Sequence, residues 1–270
     1  MLKTRVITGL ILGALLLLGI FLLKSPWIEL AFGLVFGIAA WEWAGFGGLT
    51  APAARAAYSG LVVAALWAAW WWSGEARQLI QLLSAACLWW VAAFIWLSVA
   101  PAKHRPGVTL FCGFLVLVPA YVALTRVELG MHRSGSGPQL VLWLTLMVCA
   151  ADIGAYFAGR ALGRRKLAPR VSPGKTWEGA AGGMAAVALT AWAGAVYFEL
   201  PTLGAIAFGC LIGIFSIVGD LTESMFKRAA ALKDSGTLLP GHGGLLDRLD
   251  SVTAAAPLYA LGLFGSGVLR

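Results

Sequence analysis

The feature that most constrains this chain is a series of about nine apolar stretches, each roughly 17–25 residues long. A helix of that length crosses the hydrocarbon core of a bilayer and satisfies its own backbone hydrogen bonds there. Only 12% of the 270 residues are charged, whereas soluble domains carry about 25%. The sequence therefore predicts an all-α, polytopic integral membrane protein. The stretches are 6–23, 28–46, 57–73, 79–100, 108–125, 139–160, 178–198, 202–221 and 251–268.

The positions of the basic residues predict the orientation. An odd number of spans puts the two termini on opposite sides of the membrane. If the N-terminus is cytoplasmic, 15 of the 20 lysines and arginines fall in inner segments and five in outer ones, as the positive-inside rule requires. We therefore expect a multi-pass protein of the cell (inner) membrane, with its N-terminus in the cytoplasm and its C-terminus outside. The polar segments 161–177 and 222–250 then share the cytoplasmic face.

The first stretch is interpreted as a retained helix. Lys3 and Arg5 precede it, as in a signal peptide, but no small-x-small cleavage site follows before residues 24–26. Two regions follow from the whole pattern: residues 1–137 hold about five spans, and residues 138–270 hold the remaining spans and most of the polar motifs. No separate soluble domain is visible.

Charge and cysteine usage exclude two classes of partner. The net charge of +8 is spread over short loops between apolar stretches, so anionic lipid head groups explain it better than nucleic acid. The four cysteines, Cys87, Cys112, Cys149 and Cys210, lie in apolar runs without CxxC or Cys/His spacing. They are interpreted as small buried hydrophobic residues and not as zinc ligands or disulfides.

The polar segment 223–250 interrupts the apolar pattern most sharply. It holds four of the 12 acidic residues and four of the 20 basic ones. Residues 239–244 read Leu-Pro-Gly-His-Gly-Gly, which ends a helix and allows close backbone approach to an anion. Asp247 and Asp250 follow one helical turn apart. The plain alternative is a solvated loop in which Asp250 and Ser251 cap the next helix; the mixture of charges and glycines favours a metal–phosphate site.

Two further polar blocks precede this segment. Asp152 lies about two turns inside the end of its stretch, where an unpaired carboxylate is costly; Ala155, Gly159 and Gly163 beyond it are spaced like a helix-packing face. Residues 172–179 read Ser-Pro-Gly-Lys-Thr-Trp-Glu-Gly. This is not a Walker P-loop, because position 169 is Pro169 and no soluble strand precedes it. Lys175 and Thr176 before a helix still suit phosphate.

In the third block, Asp220, Glu223, Ser224 and Lys227 share one face of a helix. The plain interpretation is an i,i+4 ion pair between Glu223 and Lys227, which leaves Asp220 unexplained. In the N-terminal half, Glu42 is the one conspicuous ionisable residue. Two interpretations remain open for it: a buried functional carboxyl, or one shallow enough to be hydrated.

These blocks together resemble the motif of phosphatidate cytidylyltransferases (CDP-diacylglycerol synthases). The resemblance rests on Ser224-x-x-Lys227-Arg228, on Lys233-Asp234, and on Pro-Gly-His-Gly-Gly-x-x-Asp-Arg-x-Asp over residues 240–250. It extends to the blocks around Asp152 and Lys175 and so covers about residues 150–250. Gly174 departs from the family, which often has a second lysine there, so one phosphate contact is missing.

The resemblance implies transfer of CMP from CTP to phosphatidate, giving CDP-diacylglycerol and pyrophosphate in phospholipid biosynthesis. It implies membrane lipid as the second partner and a homodimer. The residues themselves predict Mg²⁺, with room for a second cation, and the placement of the basic residues predicts no nucleic-acid partner. The charge types agree, because hard carboxylate oxygens suit Mg²⁺. The residues expected to act in catalysis are Asp220, Asp247, Lys227 and Arg228. Those expected to bind substrate are Lys175, Ser172, Thr176, Ser224, Lys233, His242, Gly243, Gly244 and Arg248. Those expected to hold metal are Asp220, Asp247, Asp152, Glu223 and Asp250.

Three other functions remain as alternatives. A related CTP-dependent enzyme acting on another lipid, such as a polyprenol or an archaeal lipid, would use the same loop chemistry. An ion-coupled transporter would use Asp152 and Asp220 within the membrane but would show broken helices in matching halves, whereas here the polar blocks cluster in one half. A purely structural membrane protein would gain nothing from these charges.

Overall fold

The computed structural model describes residues 2–99, 105–130, 137–239, 241 and 243–268, with side chains from Thr8 onward. Over these residues the chain forms nine α-helices, two short strands and a 3-10 helix. The helices are α1 Leu2–Leu22, α2 Trp27–Phe46, α3 Pro52–Trp72, α4 Ala76–Val99, α5 Pro106–Leu129, α6 Gly137–Leu162, α7 Trp177–Tyr197, α8 Thr202–Ala229 and α9 Asp250–Gly265. The strands are β1 Lys166–Ala168 and β2 Ser172–Thr176, and the 3-10 helix is Leu246–Arg248.

Seven of the helices, α2 to α8, are long and apolar enough to cross a membrane. The described side chains of α1 begin at Thr8, and the 15 residues from Thr8 to Leu22 form a shorter apolar helix. α9 has 16 residues and lies largely buried among other helices. Many large apolar side chains point outward, as lipid contact requires. The prediction of an all-α, polytopic membrane protein is confirmed.

The segment after α6 departs locally from the expected helix and loop. β1 and β2 pair antiparallel, with Lys166 opposite Thr176 and Ala168 opposite Ser172. The turn between them contains Pro169 and Arg170, and proline favours such a turn because its φ is fixed. The hairpin brings Lys175 next to Asp220 of α8.

One cluster of buried hydrophobic residues runs through both halves of the chain. α5 is buried along most of its length and packs against α2, α3 and α9. On α2, Trp43 packs against Phe226 of α8 with ring centroids 5.3 Å apart. The ends of α2, α6, α8 and the start of α9 thus meet at one end of the bundle, which is called the site end below. The division at residue 137 stays a prediction about the sequence.

All four cysteines lie within the described residues and are free. Only Cys112 is buried, however. Cys149 is exposed on α6, and Cys87 and Cys210 are half-buried. A cysteine on a lipid-facing helix surface needs no burial within the protein, so the apolar sequence context did not distinguish the core from the lipid-facing side.

Candidate active site

A cavity of about 420 Å³ opens between α6, α7, α8 and the hairpin. Its volume lies in the range of small-molecule sites, about 300–1,000 Å³. Most of its wall is made of glycine, alanine and other apolar residues, and four charged side chains face it: Asp152, Arg160, Lys175 and Asp220. The cavity therefore joins the first, second and third polar blocks of the sequence.

Close packing of α6 against α7 shapes one wall of this cavity. A Cβ added to Gly154 would come within 2.6 Å of the carbonyl oxygen of Gly182 on α7. One added to Gly159 would lie 3.2 Å from Oγ1 of Thr176 and 3.5 Å from Cα of Gly179. Larger residues would push the helices apart, so the predicted packing role of the small-residue spacing is confirmed at Gly159.

Lys175 and Asp220 form an ion pair across the cavity, from Nζ to Oδ2. β2 carries the lysine and α8 the aspartate, and both side chains stay partly accessible, at 28% and 23%. The second carboxylate oxygen of Asp220 accepts a hydrogen bond from Ser224 Oγ, one turn later on α8, at 3.3 Å. Asp220 thus finds its cation on another element and not on its own helix.

Further carboxylates surround this pair. Asp152 experiences the charges of Asp220, Lys175 and Arg248. Asp250, at the start of α9, experiences those of Asp220 and Asp152. Three aspartates from three helices therefore lie close enough at the site end for like charges to repel, and Lys175, Lys227 and Arg248 offset part of that repulsion.

A second ionic cluster lies deeper, where Lys227 joins two carboxylates. Its Nζ lies 3.0 Å from Glu223 Oε1 and 2.6 Å from Asp247 Oδ1. The three side chains are only 10%, 3% and 8% exposed. The i,i+4 pair of Glu223 and Lys227 is confirmed, and Asp247 from the following loop completes it. Such buried charges are stable only as a paired set.

Backbone N–H groups of the loop after α8 hold the Asp247 side chain in place. Asp247 Oδ2 accepts hydrogen bonds from the backbone N–H groups of Ser235 and Gly244, at 2.9 and 2.8 Å. Gly243 has φ +80°, a conformation that side chains disfavour. Burial by itself would raise the pKa of the Asp247 carboxyl, but Lys227 and the two N–H donors together hold that pKa below its ordinary value. Asp247 is therefore ionised at neutral pH.

Glu42 reaches the same turn from the N-terminal half. It is 4% exposed and accepts hydrogen bonds from Ser235 Oγ at 2.8 Å and from the backbone N–H groups of Leu245 and Leu246 at 3.0 and 2.8 Å. Of the two interpretations left open by the sequence, the structure confirms burial and contradicts hydration; a functional role for Glu42 stays a prediction. Only the tertiary fold brings this residue near the loop.

Several predicted substrate-binding residues make contacts of their own. Thr176 Oγ1 accepts a hydrogen bond from Gly179 N at 3.1 Å and so caps α7, while also lining the cavity. Arg228 donates to the carbonyl oxygens of Val171 and Leu232, at 3.4 and 3.2 Å, which ties the hairpin turn to the end of α8. Their roles toward a substrate stay predictions.

The remaining predicted substrate-binding residues either do not line the cavity or lie outside the described residues. Ser172 begins β2, and Lys233 is exposed in the loop after α8; neither lines the cavity. His242 lies outside the described residues. Gly243 and Gly244 belong to the turn that binds Asp247.

Arg160 also lines the cavity, although it was not among the residues predicted from the sequence. It donates from Nη1 to Tyr156 Oη at 3.0 Å, and within the described part of the chain no ion pair joins it to a carboxylate. The sequence contained an indication of this role: Asp152, Tyr156 and Arg160 follow an i, i+4, i+8 spacing, which places them on one helix face.

Carboxylates are the ligand type that a hard divalent cation prefers, but in this structure those of the described residues are not arranged in a metal-binding geometry. No group of three or more His, Cys, Asp or Glu side chains has metal-binding geometry among the described residues. Asp152, Asp220 and Asp250 nevertheless lie close enough for their charges to repel one another, and Oε2 of Glu223 has no hydrogen-bond partner among the described residues. A cation with oxygen ligands would relieve that repulsion, so the donor set fits the predicted Mg²⁺.

Comparison with known proteins agrees with this arrangement of charges. The model of the cytidylyltransferase family matches residues 3–264. A phosphatidate cytidylyltransferase of Pseudomonas aeruginosa is 42% identical over 99% of this chain and 98% of its own length. One of Haemophilus influenzae is 37% identical over 96% and 98%. A third, from Synechocystis, is 53% identical over 47% of this chain and 44% of its own. The chain therefore belongs to the cytidylyltransferase family.

Proposed function

We propose that this protein transfers CMP from CTP to phosphatidate, giving CDP-diacylglycerol and pyrophosphate. The observation that carries the proposal is the similarity, over nearly the whole chain, to two proteins named phosphatidate cytidylyltransferase. The substrates match the location of the cavity. A soluble nucleotide reaches the site end from water, and a lipid reaches it sideways from the bilayer.

The reaction needs no protein nucleophile. A phosphate oxygen of phosphatidate attacks the α-phosphorus of CTP, the bond from that phosphorus to the bridging oxygen of the β-phosphate breaks, and pyrophosphate leaves with the electron pair. Phosphatidate is already an anion at neutral pH. Lys175 and Arg160 face the cavity and are suited to hold phosphate oxygens. Catalysis then depends mainly on positioning and charge stabilisation.

Asp152, Asp220 and Asp250 are the residues that would hold Mg²⁺, with Asp247 beside them. Asp247 is less able to bind a cation than expected, because its carboxylate oxygens already contact Lys227 and two backbone N–H groups. When bound, the cation supplies positive charge for the leaving pyrophosphate. Asp220 and Lys175 would separate as phosphates enter, so that the lysine faces the nucleotide.

The direct test uses purified protein, radiolabelled CTP and phosphatidate, with and without Mg²⁺. From labelled CTP we expect labelled CDP-diacylglycerol only when protein, phosphatidate and Mg²⁺ are all present. A polyprenyl phosphate in place of phosphatidate tests the related-enzyme alternative. Transfer to that lipid but not to phosphatidate would contradict the proposal.

Changing Lys175 to alanine is expected to raise the KM for CTP by about 10- to 100-fold, because a charge-assisted hydrogen bond to phosphate is lost. Steady-state kinetics with each substrate varied in turn measures this. Lys166→Ala is the matched control, since Lys166 is an exposed lysine at the start of the same hairpin. A rise in the KM for phosphatidate alone would assign Lys175 to the lipid head group instead.

We further propose that the protein lies in the inner membrane with its N-terminus in the cytoplasm. In a variant lacking the four cysteines, Glu75→Cys, between α3 and α4, should react with an impermeant maleimide in intact cells. Thr237→Cys, between α8 and α9, should react only after permeabilisation. Both positions are exposed. Labelling of both from the same side would show the orientation to be wrong. The homodimer and the lack of a nucleic-acid partner stay predictions.

A further inference from the structure

Glu42 is buried in an unusual way for a glutamate. It lies on α2 with 4% of its surface exposed, next to Trp43, which packs against Phe226 of α8. Within the described chain, no lysine or arginine forms an ion pair with it. Burying a carboxylate without a cation is costly unless hydrogen bonds compensate. The hydrogen-bond partners of Glu42 therefore indicate its role.

All three of those contacts are donors from the loop after α8. Oε2 accepts from Ser235 Oγ and from Leu246 N, and Oε1 accepts from Leu245 N. Carboxylate oxygens accept hydrogen bonds, so three donors from the loop are matched to this side chain. The loop must also come very close to it. A Cβ on Gly236 would lie 2.6 Å from Glu42 Oε1, and one on Gly244 would overlap Glu42 Oε2.

The same short turn binds Asp247 from its other side. Ser235 donates its hydroxyl to Glu42 and its backbone N–H to Asp247. Gly244 donates its N–H to Asp247, and the next two N–H groups point to Glu42. Two carboxylates therefore hold one turn between them, and a shift of the turn away from Glu42 moves the donors of Asp247.

We propose that Glu42 is a positioning residue for Asp247: it fixes the glycine-rich turn from the N-terminal half, so that Asp247 and its partner Lys227 stand correctly at the site. This inference rests on the proposed cytidylyl transfer. Glu42 lines no part of the cavity and so does not touch the nucleotide there. Its loss should act on turnover rather than on substrate binding.

The test is Glu42→Gln, which keeps the shape but turns one acceptor into a donor that faces an N–H or O–H group. We expect kcat to fall by about 10- to 100-fold, as is typical when the support of a site residue is lost, while the KM for CTP and for phosphatidate stays within about twofold. Glu29→Gln is the matched control. Glu29 is a buried glutamate at the opposite end of α2 that hydrogen-bonds Ser25, and its replacement should leave kcat unchanged.

Ser235→Ala examines the same contact from the loop. It removes one hydrogen bond to Glu42 but keeps the N–H that serves Asp247, so kcat should fall by about fivefold. If Glu42→Gln does not yield folded protein, Ser235→Ala alone tests the positioning role of Glu42. Unchanged kcat in folded Glu42→Gln, or in Ser235→Ala when only that variant folds, would overturn the inference. So would a rise in KM without loss of kcat. An inactive wild-type protein would instead refute the proposed function, so the two failures are distinguishable.

Discussion

Asp220→Asn is expected to lower the kcat of CMP transfer by about 10³-fold or more, while the protein still inserts and purifies normally. Asparagine keeps the shape of the side chain and its hydrogen bond with Ser224, but it loses the charge that pairs with Lys175. Removing one preorganised electrostatic contact from a transition state costs about 10²–10³-fold. Asp220 is also a proposed cation ligand, so the loss of two functions should add to that.

The structure makes Asp220 the better position for this test. Its side chain is 23% exposed, so asparagine there is hydrated and the fold should tolerate it. Asp247→Asn should also abolish turnover, but it leaves buried Lys227 with one partner fewer. Glu75→Gln, an exposed loss of charge between α3 and α4, controls for net charge. Near-normal Mg²⁺-dependent turnover in well-folded Asp220→Asn or Asp247→Asn would refute the assignment of that residue.

Lys227→Met is expected to destabilise the protein by about 3–5 kcal/mol and to remove activity. The lysine is the cation between Glu223 and Asp247, so its loss leaves two buried carboxylates facing each other. Breaking a buried ionic set by removing one partner has that order of cost. The change is measured as a drop in the unfolding temperature of the detergent-purified protein, together with kcat.

A second substitution separates the structural effect from the catalytic one. Adding Glu223→Gln to Lys227→Met removes one of the stranded charges, so part of the stability should return while activity stays absent. The set should also weaken in acid. Because the pKa of Asp247 lies below its ordinary value in the folded protein, its contribution to stability persists at neutral pH and disappears as the pH falls through that lowered pKa. If Lys227→Met unfolds at the wild-type temperature, Lys227 does not hold these charges.

The fold was predictable because the membrane leaves few options to the backbone. Apolar runs of this length must form helices, and the predicted span 28–46 corresponds to α2 at Trp27–Phe46. α8 also continues as a helix through Asp220 to Lys227, so the predicted shared face exists. The hairpin was not predictable. A strand of three residues has little local preference, and its pairing depends on what packs around it.

The sequence predicted which residues belong to the site better than it predicted which of them contact one another. The polar segments 161–177 and 222–250 were expected to share one face, and Asp152 and Asp220 were both predicted metal ligands. Lys175 of the first segment lines the cavity together with those two aspartates. Glu223 and Lys227 were paired from i,i+4 spacing alone. By contrast, Thr176 proved to be a helix cap as well as a cavity residue, since a hydroxyl before a helix suits both roles.

The sequence by itself determined the helices, the class of chemistry and most of the charged residues, because local periodicity and composition act within a few residues. Only the tertiary structure decided which charges meet. Lys175 pairs with Asp220, 45 residues later, and Glu42 holds a turn about 200 residues away. Such contacts depend on how helices pack through glycine and alanine faces. The spacing of small residues predicts that a helix face is packed, but it does not say against which helix, so the partner of a buried charge is known only from the folded structure.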